Sequence, residues 1–74
     1  MNNQVKTEQT REQVCSLIKK IRMKKGLSTH KLELLSGVRS ENISNIENCR
    51  RSVGIDLLLK LTNALDCEIL IKEK

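Results

Sequence analysis

Apolar residues recur at helical spacing through most of this chain. Val14, Leu17, Ile18 and Ile21 mark the inward face of a first helix. Just ahead of them, Thr10-Arg11-Glu12-Gln13 matches a capping box, in which the Thr10 hydroxyl and the Gln13 side chain each satisfy the other residue's backbone N–H. Gly26 ends the helix after Lys24 and Lys25, whose charges suit its negative C-terminus. Leu27 re-enters the core, and Ser28 is placed to cap a second helix that turns Leu32 and Leu35 inward and stops near Ser36-Gly37. A third helix is predicted over about 40–47, with Ile43 and Ile46 as a narrow stripe. Residues 48–54 read as a loop. Gly54 can open a fourth helix over 55–65 that buries Ile55, Leu58, Leu61 and Leu65. The period then changes. Glu68, Leu70 and Lys72 alternate with Ile69, Ile71 and Glu73, the pattern of a short strand.

Three domain segments follow: a frayed polar tail over 1–9, a helical domain over 10–66, and a strand or tail over 67–74. With 74 residues the chain makes one small domain, and with no Phe, Trp or Tyr its core rests on Leu, Ile and Val. The absence of Pro and the presence of only three Gly favour helices over a turn-rich sheet.

The third helix is unusual on its outer face. Around its isoleucines stand Arg39, Ser40, Glu41, Asn42, Ser44, Asn45, Glu47 and Asn48. Ser and Asn are mediocre helix formers because their side chains compete with the backbone for hydrogen bonds. A face built from them is an unusual choice for an ordinary surface helix, which prefers Lys, Glu, Ala and Gln.

Charge supports a polyanionic partner. The net charge is +5. The excess sits in residues 11–25, where Arg11, Lys19, Lys20, Arg22, Lys24 and Lys25 face only Glu12, with a second basic pair at Arg50 and Arg51. A localised basic patch suits phosphate, although a charge run by itself is more often a solvated helix face. The three cysteines, Cys15, Cys49 and Cys67, are scattered and odd in number, which fits reduced thiols rather than a metal motif or disulfide framework. No apolar run approaches the ~18 residues of a membrane span, and there is no signal-peptide core. A cytoplasmic protein with no membrane partner is expected. The single His30 stands apart from any triad or ligand set, so neither an enzyme nor a bound metal or cofactor is expected.

Two short helices joined by a Gly turn make a helix-turn-helix. Here "IRMKKGLSTHKLELLSGVRSENISNIEN" followed by "IDLLLKLTNAL" resembles the lambda-repressor-like (XRE) family of helix-turn-helix DNA-binding proteins. The carrying features are Arg22-x-x-x-Gly26-Leu27-Ser28, Leu32, Gly37-Val38, Ile43-Ser44, Ile46-Glu47 and Leu58-x-x-Leu61-x-x-Ala64-Leu65, and they span about residues 14–66. The resemblance implies an all-α domain of four to five short helices. It implies a third helix lying in the major groove of double-stranded DNA, with base edges read by Ser40, Glu41 and Asn45 and with Asn42 and Ser44 nearby. Phosphate contacts would come from Ser28 and Thr29 at the start of helix 2, from Asn48, Arg50 and Arg51 after helix 3, and from Lys31 and Arg39. Arg22 and Glu47 match a family pair that bridges helix 1 to the end of helix 3.

The chain departs from the family at several of these positions. Thr29 stands where Gln is usual. Glu33 replaces an Ala, at a point where helices 2 and 3 approach closely, and Leu34 replaces a polar residue. Arg39 replaces the Ser or Thr cap of helix 3, so Ser40 is expected to cap one residue late. Glu41 puts a carboxylate on the reading face. Cys49 replaces a Gly at a position that tends to need positive φ.

The "LDCEILIKEK" tail resembles that of HipB-type antitoxins and kindred short regulators, in which a strand pairs with its twin across a dimer axis. A lone strand is not stable, so a homodimer is expected, with Leu57, Ile69, Leu70 and Ile71 at its interface and a palindromic operator as its target. The function expected is that of a sequence-specific transcriptional regulator, a homodimeric repressor. The alternatives are an antitoxin that binds a toxin and autorepresses its operon, and a protein-interaction adaptor that has lost DNA binding. Glu33, Leu34 and Glu41 favour the adaptor.

Overall fold

The computed structural model describes residues 10–73, so the expectation of a frayed tail over 1–9 lies outside the described residues. Four helices follow in order: α1 Arg11–Lys24, α2 Thr29–Ser36, α3 Ser40–Glu47 and α4 Ile55–Ala64. α2 packs against both α3 and α4, and α1 packs against α3.

Local chemistry sets the helix ends. The capping box forms as the sequence predicts: Gln13 N donates to Thr10 Oγ1 at 3.2 Å and Thr10 N donates to Gln13 Oε1 at 3.0 Å. Ser28 Oγ accepts from Lys31 N at 3.0 Å and caps α2. Gly37 closes α2 at φ 79°, a left-handed conformation that Gly adopts without a Cβ clash. Cys49 also has positive φ, 56°, as its place in a Gly position suggests.

The core joins Cys15 and Ile18 of α1, Leu32 of α2, Val38 of the turn, Ile43 and Ile46 of α3, and Leu61 and Leu65 at the end of α4. Three residues expected inward are not buried. Leu17, Leu35 and Ile55 are about half exposed or more. In α4 the buried stripe runs through Leu57, Leu58, Leu61, Ala64 and Leu65. Leu57 therefore packs on its own core rather than pointing outward, and Leu59, one turn on from the exposed Ile55, is the outward leucine.

Past α4, residues 67–73 form neither helix nor β-ladder in the single chain. Glu68, Ile69 and Leu70 form one wall of an apolar groove of about 260 Å³ whose other wall includes Val14, Leu17, Ile21 and Leu58. Ile69, Leu70 and Ile71 are exposed. Among the described residues no helix is long and apolar enough to cross a membrane.

Candidate nucleic-acid interface

α3 is anchored by one side and open on the other. Ile43, Ile46 and Glu47 are buried. Glu41, Asn45 and Asn48, spaced by four and then three residues, share the opposite face. Glu41 and Asn48 are exposed, while Ser40, Asn42, Ser44 and Asn45 are partly so. The face predicted to read bases is thus presented to solvent, with Ser40 and Asn42 on its flanks.

The buried carboxylate holds that face in place. Arg22 Nε donates to Glu47 Oε2 at 2.7 Å and Arg22 Nη2 donates to Glu47 Oε1 at 3.0 Å. The remaining arm, Nη1, donates to the Leu27 carbonyl at 2.6 Å. The side chains are 11% and 3% exposed. This is the planar two-pronged geometry that arginine makes with a carboxylate. Hydrogen bonding to Glu47 holds the Arg22 guanidinium above its ordinary pKa, against the opposing effect of burial. The bridge fixes the last residue of α3 to α1 and to the start of α2.

The proposed phosphate-contacting side chains surround this helix. Arg39, just before α3, and Arg50 and Arg51, just after it, are exposed. So is Lys31 in the first turn of α2, where Thr29 is partly buried and Ser28 spends its hydroxyl on the Lys31 amide. Asn48 is committed to its own helix. Its Nδ2 donates to the Ser44 carbonyl at 2.9 Å, leaving its carbonyl oxygen, an acceptor, to face outward. The second N–H of the same nitrogen lies a long 3.5 Å from Ser44 Oγ and is the donor this side chain has left for a phosphate.

Three contacts had no signal in the sequence. Glu33 Oε1 accepts from the Ser40 backbone N at 3.0 Å. Ser40 is not the late cap expected: α3 begins after Arg39, whose side chain makes no capping bond, and Ser40 is the first residue inside the helix, with its N–H taken by Glu33. Arg11 Nη1 donates to Ser52 Oγ at 3.0 Å and ties the start of α1 to the loop bearing Arg50 and Arg51. Cys15 and Cys49 also meet at this junction. Burial first, and then hydrogen bonding with Cys49, push the Cys15 thiol above its ordinary pKa. Partners so far apart in sequence leave no local pattern to find. Among the described residues no three His, Cys, Asp or Glu side chains gather as a metal site.

Comparison with known proteins agrees with this geometry. A helix-turn-helix family model matches residues 18–71. The chain is 33% identical to the restriction-modification controller protein C.AhdI from Aeromonas hydrophila, with a TM-score of 0.74 over 78% of this chain and 88% of that one. It is 31% identical to the restriction-modification controller C.Esp1396I, with a TM-score of 0.71 over 82% of this chain and 80% of that one. HipB, in its complex with an O2 20mer, shares the fold at 18% identity, with a TM-score of 0.81 over 95% of this chain and 97% of that one. No curated protein matches the chain significantly. The chain belongs to the XRE-type, lambda-repressor-like helix-turn-helix family of DNA-binding regulators.

Proposed function

We propose that this regulator acts as a homodimeric repressor, placing α3 in the major groove of a palindromic operator in the cytoplasm. One observation carries the reading. α3 is locked by its buried face through Arg22 and Glu47, while its open face offers Glu41, Ser44 and Asn45 between the exposed Arg39, Arg50 and Arg51. Asn45 can pair bidentately with adenine N6 and N7, Ser44 can donate or accept, and Glu41 can accept from cytosine N4. Ser40 and Asn42 act at the rim of the same face. Arg39, Arg50, Arg51 and Lys31 take phosphates, with the free amides at the start of α2, next to Ser28 and Thr29, as a further anion contact. Asn48 joins the phosphate set through the N–H that its short bond to the Ser44 carbonyl leaves over.

Likeness above 30% to two restriction-modification controllers supports a transcriptional controller. The antitoxin alternative leans on HipB, whose 18% identity speaks for the fold alone. The test is binding to duplexes selected from a randomised pool. Asn45→Ala relaxes preference at one base pair and costs about 1–3 kcal/mol on the selected site. Arg50→Ala weakens all duplexes alike and lowers the salt slope by about 1. Absence of any salt-dependent duplex binding would turn the reading toward a protein-interaction adaptor.

A further inference from the structure

The reading helix begins without a cap of its own. The first N–H groups of any helix lack intrahelical acceptors, and Arg39, at the cap position of α3, has no side-chain oxygen to offer. Glu33 supplies an acceptor from α2 instead, to the first amide of the helix rather than to the second or third that a cap side chain would take, with its Oε1 3.0 Å from the Ser40 N. The Glu33 backbone carbonyl meanwhile accepts from Gly37 N at 2.8 Å. One residue thus closes α2 with its main chain and opens α3 with its side chain, clamping the turn from Gly37 to Arg39 on both sides. Its negative charge also complements the positive end of the α3 dipole.

Moving the cap changes what position 39 can do. A Ser or Thr there would turn its hydroxyl back onto the helix. Arg39 is exposed, and among the described residues its guanidinium makes no hydrogen bond. The carboxylate at the helix start also occupies the place where a phosphate could otherwise seat on bare amides.

We propose that Glu33 is a positioning residue for DNA recognition: it caps the reading helix from α2, fixes that helix's angle, and thereby frees Arg39 to grip a phosphate beside the groove. The proposal rests on α3 being the reading helix. It assigns a role to Glu33, one of the two acidic residues that otherwise argue for an adaptor without DNA.

The experiment pairs amide exchange in the free protein with binding of the full chain to the duplex that the wild type selects from a randomised pool, against a scrambled duplex. In the wild type the Ser40 amide is protected, although first-turn amides ordinarily exchange freely. Glu33→Ala removes that protection and lowers selected-over-scrambled selectivity about tenfold, the size of a lost helix cap, while scrambled-duplex affinity stays put. Glu33→Gln keeps an acceptor oxygen and retains most of the selectivity. Arg39→Ser in the Glu33→Ala background restores a local cap and the selectivity, but lowers the salt slope by about 1 per protomer because the arginine is gone. An unprotected Ser40 amide in the wild type overturns the cap, as does unchanged protection in Glu33→Ala. Lost protection with unchanged selectivity overturns the positioning role. If Glu33→Ala fails to fold, the double variant decides: recovery of folding and selectivity upholds the cap, and failure to recover overturns it. A wild type that binds no duplex, with Ser40 still protected, refutes the DNA reading itself while leaving the cap in place.

Discussion

Removing Glu47 tests what holds the reading helix to the domain. Its side chain is 3% exposed and takes both prongs of Arg22, whose own side chain is 11% exposed. In Glu47→Ala the guanidinium keeps its bond to the Leu27 carbonyl and loses its counter-charge inside the protein. Breaking one side of a buried pair costs about 3–5 kcal/mol. At roughly 0.05–0.15 kcal/mol per residue, a domain of this size holds only about 4–11 kcal/mol in total. The loss is therefore between a quarter of the stability and all of it. With about 4–8 °C per kcal/mol for a domain this small, melting falls by at least about 12 °C.

The assay is urea unfolding followed by circular dichroism, run as a double-mutant cycle with Arg22→Met and Glu47→Leu. Each single variant strands a partner. The double variant strands none and fills the space with apolar atoms, so it recovers much of the loss, with a coupling energy of roughly 2 kcal/mol or more. Recovery stays incomplete because the Leu27 carbonyl loses its donor. Single variants within about 0.5 kcal/mol of wild type would refute the reasoning, since that is the range of an exposed surface pair. So would a double variant that merely adds the two losses.

Two further predictions concern the edges of the core. Truncation after Asp66 removes one wall of the apolar groove beside Val14 and Leu58 together with the exposed Ile69, Leu70 and Ile71; the full chain sediments as a dimer at micromolar concentration and the truncated chain as a monomer, and a monomeric full chain would sink the dimer. Cys15 is held as a thiol because burial raises its pKa, so its share of stability is complete below the ordinary thiol value of about 8.5 and is lost as pH climbs through the folded value. Cys15→Ala should remove that part of the alkaline fall in melting temperature, and an unchanged fall would contradict it.

The sequence carried much of this fold because its instructions are local. The Thr10–Gln13 box, the Ser28 cap and the Gly37 turn each act within four residues, and all form as written. Periodicity locates each helix's buried stripe but not how wide a neighbour covers it, so Leu17, Leu35 and Ile55 fit the inward pattern and are nonetheless exposed. The same limit applies to Leu57 and Leu59: three consecutive leucines fix that one points out, and only the position of α1 and α2 decides which. Arg22 and Glu47 came from family resemblance, since a spacing of 25 residues has no local signature. Glu33 was visible as a departure, yet its partner across the turn was not. The tail's alternation is plain in the sequence, but a ladder needs a second strand, and none forms among the described residues.

The division of charge around α3 explains why an acidic residue on the reading face is compatible with DNA. From Ser40 to Glu47 the helix carries no basic side chain. Of its two carboxylates, Glu47 is neutralised by Arg22, which leaves Glu41 facing outward. Attraction to phosphate must then come from residues beside the helix, and not all of the basic excess is available for it. Arg22 is spent on the bridge and Arg11 on Ser52, while Lys24 answers the dipole at the end of α1. Of the cations that remain, Arg39, Arg50 and Arg51 bracket α3 from both ends. Such an arrangement separates the two tasks. On the proposed reading the flanks supply an affinity that is blind to sequence, and the helix between them adds little of its own except at the matching base pairs. Glu41 sharpens the contrast, because a carboxylate pressed against any edge that cannot donate to it is repelled or left unpaired. A helix of eight residues can then contribute to discrimination through what it rejects as well as what it binds, provided that its angle in the groove is held. The Arg22–Glu47 bridge fixes one end of that helix and the Glu33–Ser40 bond the other.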